Sequence, residues 1–471
     1  MADVIESIPA EATSAPSDPY SPYTPSDAEP WDSRRAGHLL RRVAFGGPYE
    51  QHDAIAKLTP GQAVDSFLNF DPEKDPLNEL ADELVGFFNP TMLDSQQEWW
   101  FYRIINTARP MQEKMALLWH NQFATSASKV QSIALMAGQI DLFRRMGLGN
   151  FRDLLLAVGR DPAMLIWLDG NTNRKGAPNE NYGREVMELF TLGVGSYSEK
   201  DVKELARSFT GWHLENGKAV FNKAAFDDGD KTIFGKTGKF DSESAVDLIL
   251  AQPAASKHLA RRLLREFVHP NPTDEQIAHY ADRAVTLKWE LKPLIREVLT
   301  SRLFFSDWAY RSKIKSPVEI AVGGAIAIGG KINMKFLREQ TTRMGQALMV
   351  PPNVKGWDGE EAWINANSVL LRFNFGLALA TQRNDAFAKT SDLRDWLSKH
   401  NIKTAEDVVD HYARVFLDGN IAPAARAEFV DFMTHGAKHE PKPFVLNPET
   451  MNAKVRGVMH LMVAMPEYQL A

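Results

Sequence analysis

The 471-residue sequence contains no cysteine. Disulfide bonds, thiolate metal sites and cysteine nucleophiles are therefore excluded, although the absence does not identify a cellular compartment. The chain also lacks a strong excess of either charge, with 54 basic and 60 acidic residues. Because a general nucleic-acid binder requires a basic face, this balance argues against a nucleic-acid partner.

Several common catalytic patterns are missing as well. The chain has no HExxH motif, no GxSxG nucleophile turn, and no dinucleotide-binding glycine pattern after a strand. The segment Gly329-Gly330-Lys331 lacks the spacing and the Ser or Thr of a phosphate-binding loop. We therefore expect no nucleotide cofactor, and no zinc protease or serine hydrolase of these types.

Long apolar runs are absent too. A membrane helix requires about 18 consecutive apolar residues, whereas the most apolar segment, 318–332, contains Glu319 and four glycines. This segment is typical of a closely packed interior helix, and we expect no membrane span. The first 30 residues contain no Lys or Arg, unlike a signal peptide. The sequence as given therefore predicts a cytoplasmic location, with export by another route left open.

The periodicity of apolar residues predicts a mainly α fold, with one large irregular helical body. Apolar residues repeat at helical spacing in nearly every long segment. Two strand-like runs, Lys218–Phe221 and Thr232–Phe234, flank an acidic turn. They predict a short β-hairpin near 218–240.

Composition suggests three parts of the chain. Residues 1–30 are acidic and contain six prolines, which predicts a disordered tail. We expect a helical core domain over 31–385. A C-terminal helical extension over 386–471 is expected to pack on that core.

The segment 169–212 concentrates polar and acidic side chains around one structural junction. Asn179 is a good N-cap residue, so a helix is predicted over 179–192. Glu185 and Glu188 lie one turn apart on that helix. Two nearby carboxylates can be driven to different pKa values, as acid and base catalysis requires. The alternative is an ordinary solvated face, on which Arg184 pairs with Glu188.

The loop before this helix has the spacing of a cation site. Its candidate metal ligands occupy positions 1, 3, 5 and 12 of a calcium-loop register: Asp169, Asn171, Asn173 and Glu180. Oxygen donors of this kind suit Ca, Mg or Mn. The register departs from the pattern at position 6, where Arg174 replaces glycine, and at position 8, where Gly176 replaces an apolar residue. A polar loop without an ion is the alternative.

Other candidate side chains lie outside this loop and helix. His120 could serve as a ligand or proton shuttle, although a lone histidine on a half-buried helix is more often structural. Arg184 is a candidate substrate-binding residue. Trp212, Trp357 and Trp363 are candidate aromatic platforms, the last two flanking acidic residues. We expect His120 and Trp212 to lie near the acidic helix, with tryptophans that only pin loops to the core as the alternative.

Several segments together resemble the bacterial domain-of-unknown-function family 1800 (DUF1800). The matching segments are HLLRRVAFG at 38–46, WHNQF at 119–123, PNENYGREVMELFTLGVGSYSEKDV at 178–202, ARSFTGW at 206–212, KSPVE at 315–319 and PPNVKGWDGEEAW at 351–363. The resemblance covers most of the chain from about residue 31, but the family is essentially uncharacterised. Similar proteins are often exported and encoded beside sulfatase-like proteins. The resemblance thus suggests envelope or extracellular polymer chemistry, and a sulfatase-like neighbour as a partner.

This sequence departs from the family pattern in three respects. Gln122 stands where a second histidine is frequent, and Phe226 where a histidine usually precedes Asp227. The export signal of similar proteins is missing. The first two departures argue against a histidine-rich metal site in this chain.

Two interpretations of the function follow. The first is a divalent-metal or carboxylate-dependent enzyme, hydrolase-like, in which Glu185 and Glu188 act as ligands or as acid and base. The second is a non-catalytic helical adaptor, whose acidic motif is a structural ion-pair network. The sequence does not decide between them.

Overall fold

The computed structural model describes residues 18–84, 86–328, 332–381, 401–436 and 439–471. These residues are mainly helical and contain two small antiparallel sheets of two strands each. The predicted fold class is confirmed.

The helices follow one another through most of the described chain. Those before the acidic motif are α1 (Ser33–Ala44), α2 (Tyr49–Ala56), α3 (Pro60–Leu68), α4 (Pro76–Glu83), α5 (Leu93–Asn106), α6 (Pro110–Gln122), α7 (Ala127–Val130), α8 (Ile133–Met146), α9 (Phe151–Gly159) and α10 (Pro162–Trp167). The motif and the segment after it form α11 (Glu180–Glu185), α12 (Glu199–Ser208), α13 (Ser242–Leu250), α14 (Pro253–Phe267), α15 (Asp274–Thr286), α16 (Leu291–Thr300), α17 (Pro317–Ile328), α18 (Met334–Arg343) and α19 (Ala366–Thr381). The last helices are α20 (Ala405–Leu417), α21 (Pro423–Thr434), α22 (Pro448–Thr450), α23 (Arg456–Ala464) and α24 (Pro466–Gln469). Short 3-10 turns occupy Gly170–Thr172, Lys223–Ala225 and Glu360–Trp363, and π-helical segments Val186–Leu192 and Met451–Val455.

Local sequence explains where many helices begin. Thr59, Ser198, Asp241, Thr273 and Thr404 each form a reciprocal capping box with the residue three positions later. Such a box satisfies two backbone N–H groups that the first turn leaves unpaired. Helix starts are thus set by local hydrogen bonding.

The β segment consists of two separate hairpins. Strands β1 (Trp212–Glu215) and β2 (Lys218–Phe221) pair with each other, as do β3 (Lys231–Ile233) and β4 (Lys236–Gly238). The predicted strand runs near 218 and 232 are present, but they do not pair with each other. The Asn216-Gly217 turn, with φ of 50° and 76°, closes the first hairpin in the conformation that Asn-Gly favours.

The interior helix predicted near 318 is α17. Its residues Pro317–Ala325 are all buried. A Cβ atom at Gly323 would lie 2.7 Å from the carbonyl oxygen of Phe45, so glycine allows the backbones to approach closely. Within the described ranges, no helix has the length and apolarity required to cross a membrane.

Residues 18–30 are not a free tail, in contrast to the predicted disorder of 1–30. The backbone N–H of Tyr23 donates to the Thr300 carbonyl at 2.8 Å, and Tyr20 stacks on His279 with ring centroids 3.8 Å apart. Tyr23 is buried and Tyr20 half-buried, so these contacts hold the segment against the helices in spite of its proline-rich composition. The remainder of the predicted tail, 1–17, lies outside the described residues.

The C-terminal segment shares the core of the preceding helices. Helix α23 packs on α19, and α20 packs on α1 and α2. The buried Tyr468 hydroxyl donates to the Ile320 carbonyl at 2.9 Å. The C-terminal helices thus pack on helices that precede them, while the predicted boundary at 385 and 386 lies outside the described residues and the division into domains stays a prediction.

Candidate functional site

The acidic motif is not one regular helix, in contrast to the helix predicted over 179–192. It starts as α11 and becomes a π-helix at Val186. The Thr191 hydroxyl donates to the Val186 carbonyl, and the Gln122 side-chain amide donates to the Leu189 carbonyl at 2.8 Å. Side chains therefore satisfy carbonyls that the wider π turn leaves available. Segments of this type occur frequently at functional sites.

The end of the motif is fixed by glycine and by a cap. Gly193 has φ of 82° and ψ of 163°, a region that is essentially restricted to glycine. A capping box formed by Ser198 and Asp201 starts α12. The π-helix is thus held at a defined angle to α12.

Glu185 and Glu188 occupy a half-buried position on this motif. Burial raises the pKa of Glu185, and the negative charge of Glu188 raises it further, while Arg184 opposes the change. The Tyr197 hydroxyl donates a hydrogen bond to the Glu188 carboxylate. The two carboxyl groups therefore have different environments, as a division of acid and base roles requires.

The four candidate cation ligands each have a protein partner. Asp169 forms an ion pair with Lys129 at 2.8 Å and accepts from the Asn181 amide at 3.1 Å. Asn171 accepts from the Leu214 N–H at 2.6 Å, and Glu180 pairs with Arg184 at 3.4 Å.

Asn173 is the most constrained of these residues, because it is buried. Its side-chain amide donates to the Ala206 carbonyl at 2.8 Å, while its oxygen accepts from the Asn179 N–H at 2.9 Å. The side chain therefore fixes the loop against α12. A cation in this loop would have to displace the hydrogen bonds and ion pairs that these four side chains already make. The predicted cation site stays a prediction.

Arg184 does not pair with Glu188. Its guanidinium instead binds Glu199 on α12 through two bonds of 2.7 and 2.8 Å, and reaches Glu180 at 3.4 Å. These bonds raise the pKa of Arg184 above its ordinary value. The side chain thus joins α11 to α12, and its role in substrate binding stays a prediction.

His120 lies inside the core rather than beside the two glutamates. Its ring lies between Trp100 and Trp357, with centroid distances of 5.6 Å to each. Its Nε2 accepts from the Met349 N–H at 3.2 Å, and burial lowers its pKa to about 3. His120 is therefore neutral at ordinary pH. Gln122, at the end of the same helix α6, instead contacts the π-helix through its side-chain amide.

A second histidine, which the sequence did not point to, lies beside the acidic motif. The Nε2 atom of His258, on α14, is 3.2 Å from the Gln122 amide nitrogen. Burial lowers the pKa of His258 to about 4, and Arg262 contributes in the same direction. No local pattern marks His258, because its neighbours come from helices far away in sequence.

The three candidate tryptophans have separate surroundings. Trp212 begins β1, and the Arg160 guanidinium lies 4.9 Å from its ring. Trp357 is buried, and the Asn121 side chain binds both its N–H and its carbonyl. Trp363 is also buried and lines a cleft described below. The two Asn121 hydrogen bonds thus hold the Trp357 loop against the end of α6, and the role of the tryptophans as aromatic platforms stays a prediction.

A charged cleft is the feature that sequence reasoning missed. Its volume is about 90 Å³, and its charged lining comes from three separate segments: Arg262, Arg265, Glu266, Lys313, Glu319, Asp358 and Glu360. The segments KSPVE and PPNVKGWDGEEAW, noted above for their resemblance, meet in this cleft. The cleft is large enough for several water molecules or one small polar ligand.

Ion pairs organise the floor of the cleft. Lys114 pairs with Glu319 and lies 3.6 Å from Glu266. Lys313 lies 3.5 Å from Glu266. Although burial opposes ionisation, the two lysines hold the pKa values of Glu319 and Glu266 below their ordinary range. Burial raises the pKa of Glu360, which accepts from the Ile314 N–H at 3.0 Å.

One feature of the local sequence weakly indicates this cleft. Arg262 and Glu266 lie four positions apart on α14, a spacing that places them on one helix face. Arg262 is half-buried, and its enclosed Nε atom has no hydrogen-bond partner within the described part of the chain.

Comparison with known proteins adds a family but no function. A family model described as "Protein of unknown function (DUF1800)" matches residues 38–470. No curated protein and no solved structure matches the chain. The match covers nearly the whole sequence, so the chain belongs to the DUF1800 family.

Proposed function

We propose that this protein is a carboxylate-dependent, hydrolase-like enzyme in which Glu185 and Glu188 are the acid and base pair. One observation carries the proposal. Glu185 is half-buried, its pKa is raised by burial and by Glu188, and no cationic side chain of the described residues forms an ion pair with it. A carboxyl group whose pKa is raised in this way is a better proton donor than an ordinary surface carboxylate.

The surroundings assign different roles to the two groups. Glu185 is the better proton donor, because its charged form is disfavoured. We assign the role of base or nucleophile to Glu188, whose carboxylate accepts a hydrogen bond from the Tyr197 hydroxyl. Hydrolysis of a glycosidic bond uses such a pair. An envelope or extracellular polymer is therefore the substrate class that we propose.

The experiment combines activity and stability. Wild type, Glu185→Gln and Glu188→Gln would be incubated with a panel of bacterial envelope polysaccharides, and new reducing ends would be measured. We expect turnover by the wild type and a loss of at least about 100-fold in both variants, since acid or base catalysis contributes about 10² to 10⁴-fold. Both variants should melt at or above the wild-type temperature, because each removes half of a repulsive pair.

The Arg184 contacts favour the second candidate function, a non-catalytic adaptor. Arg184 joins Glu180 on α11 to Glu199 on α12, as a structural ion-pair network would. If Glu180→Gln, Glu185→Gln and Glu188→Gln all lose the same stability and no polymer is cleaved, the adaptor is correct. A sulfatase-like neighbour is then the partner to test, by co-purification from the native cell.

A divalent cation at the loop 169–180 is a separate proposal. Glu180→Gln should lower the melting temperature only when Ca, Mg or Mn is present. Bound metal would contribute roughly 2.7 kcal/mol at a hundredfold excess over its Kd. An identical effect of the substitution with and without EDTA would exclude the cation, and would leave the acid and base proposal standing.

A further inference from the structure

A group of metal-ligating side chains lies at the end of α21, far along the chain from the acidic motif. Asp431, His435 and His439 are spaced four positions apart, and one ligand atom from each lies within 4.8 Å of the others. The Nδ1 atoms of His435 and His439 are 2.9 and 3.6 Å from the Asp431 carboxylate oxygens.

Backbone hydrogen bonds build the turn that brings His439 back to the helix. The Gly436 N–H donates to the Glu440 carbonyl at 2.8 Å, and the Lys442 N–H donates to the Thr434 carbonyl at 2.7 Å. His439 itself has a left-handed backbone, with φ of 58°. Its ring consequently stacks on that of His435, with centroids 4.5 Å apart and 16° between the planes.

The chemistry of these three ligand atoms favours some metal ions over others. Two imidazole nitrogens and one carboxylate suit Zn²⁺ and neighbouring transition ions, whereas Ca²⁺ and Mg²⁺ prefer oxygen donors alone. Three protein ligands leave a fourth position for water. We propose that Asp431, His435 and His439 form a binding site for one divalent transition-metal ion, with Zn²⁺ as the reference ion.

An ordinary helix end would explain only part of this arrangement. Asp431 and His435 are at i and i+4, and an imidazole near a helix C-terminus is favoured by the helix dipole. His439 is 74% exposed, so a pair with Asp431 would gain little in water. In the proposed site, one ion would contact all three side chains.

A positive charge and a second carboxylate lie close to the proposed site. The Lys454 ammonium donates to the carbonyls of Phe432 and His435, at 2.6 and 2.5 Å, and places a positive charge nearby. The Asp431 carboxylate must therefore offset both this charge and that of the ion. The Glu440 side chain lies against Gly436 and adds a second carboxylate to the same turn.

The test is calorimetric titration of the full chain with ZnCl₂ after EDTA treatment and dialysis. We expect one equivalent to bind, and His435→Gln, His439→Gln and Asp431→Asn each to weaken binding at least about tenfold. His279→Gln, a substitution on α15, is the matched control and should bind as the wild type does. Ca²⁺ should not compete, which separates this site from the proposed loop cation.

Three further measurements test the site independently. Co²⁺ should give a visible absorption band in the wild type that His435→Gln lacks, and Zn²⁺ should raise the melting temperature of the wild type but not of that variant. Binding should weaken in acid, because imidazole ligands must be deprotonated. Absence of Zn²⁺ binding, or wild-type affinity in both histidine variants, would refute the site. Neither outcome bears on Glu185 and Glu188.

Discussion

The hydroxyl of Tyr197 donates a hydrogen bond to the carboxylate of Glu188, nine positions earlier in the chain. Tyr197 lies in the turn between the π-helix and α12, so this bond joins the acidic motif to the structure that follows it. Glu185, one turn before Glu188, has no ion pair with a cationic group among the described residues. The difference between these two carboxyl groups is the basis of the proposed chemistry.

The first prediction concerns that bond. Tyr197→Phe keeps the ring but removes the donor, and should lower the free energy of unfolding by about 1 kcal/mol. Urea denaturation with a common slope would measure the change. Tyr102→Phe is the control, since that hydroxyl has no hydrogen bond to any described residue. If both substitutions lower the free energy of unfolding equally, the hydrogen bond from Tyr197 to Glu188 does not itself stabilise the fold.

The second prediction concerns the pH dependence of Glu185. Burial and Glu188 raise its pKa in the folded state, so the ionised group destabilises the fold. This cost is fully present above the folded-state pKa and disappears as pH falls below the unfolded value of about 4.3. Glu185→Gln should therefore melt higher than the wild type at pH 7, with no difference at pH 4. A constant difference at both pH values would contradict the proposed environment.

The third prediction concerns the ion pair under the cleft. Glu319→Gln should lower the free energy of unfolding by about 3–5 kcal/mol, because it leaves the buried Lys114 without its closest partner. The double variant with Lys114→Met should lose less than the sum of the single losses. Denaturant titration of the wild type, the two single variants and the double variant gives the coupling free energy between Glu319 and Lys114. Asp228→Asn, which breaks an exposed pair with Lys175, should change the midpoint much less.

The same cleft should contribute to acid unfolding. The pKa values of Glu319 and Glu266 are lowered in the folded state by Lys114 and Lys313, against the effect of burial. Their stabilisation is present above the unfolded-state value of about 4.3 and is lost as pH falls through the folded-state values. The wild type should lose stability faster below pH 4 than Glu319→Gln does. Parallel losses would exclude this contribution.

The fourth prediction concerns His120. Its pKa falls from 6.5 to about 3 on burial, so only the unfolded state takes up a proton between these values. Stability should therefore fall as pH decreases from about 6.5, with a contribution of about 1.4 kcal/mol per pH unit. His120→Gln should remove that share of the slope, whatever it does to the stability at pH 7. Denaturation midpoints between pH 4.5 and 7 would measure both slopes, and equal slopes would contradict the burial.

Local interactions made much of the fold predictable. The capping box of Ser198 and Asp201 needs only residues three positions apart, and the spacing of Glu185 and Glu188 follows from any helical geometry. The Asn216-Gly217 turn is also a local pattern, and it marked the strand pairing that we missed. Such features involve residues that lie only a few positions apart, so the backbone geometry of a helix or turn is enough to predict them.

The remainder depended on contacts between distant parts of the chain. The partners Lys114 and Glu319 are 205 positions apart, and His120 accepts its hydrogen bond from a residue 229 positions away. Whether such groups are buried, paired or solvated depends on which helices pack together. The sequence by itself determined the helices, their caps and the acidic motif. Tertiary packing decided which of the charged side chains are enclosed and which stay available for chemistry, because desolvation depends on neighbours that no local pattern identifies.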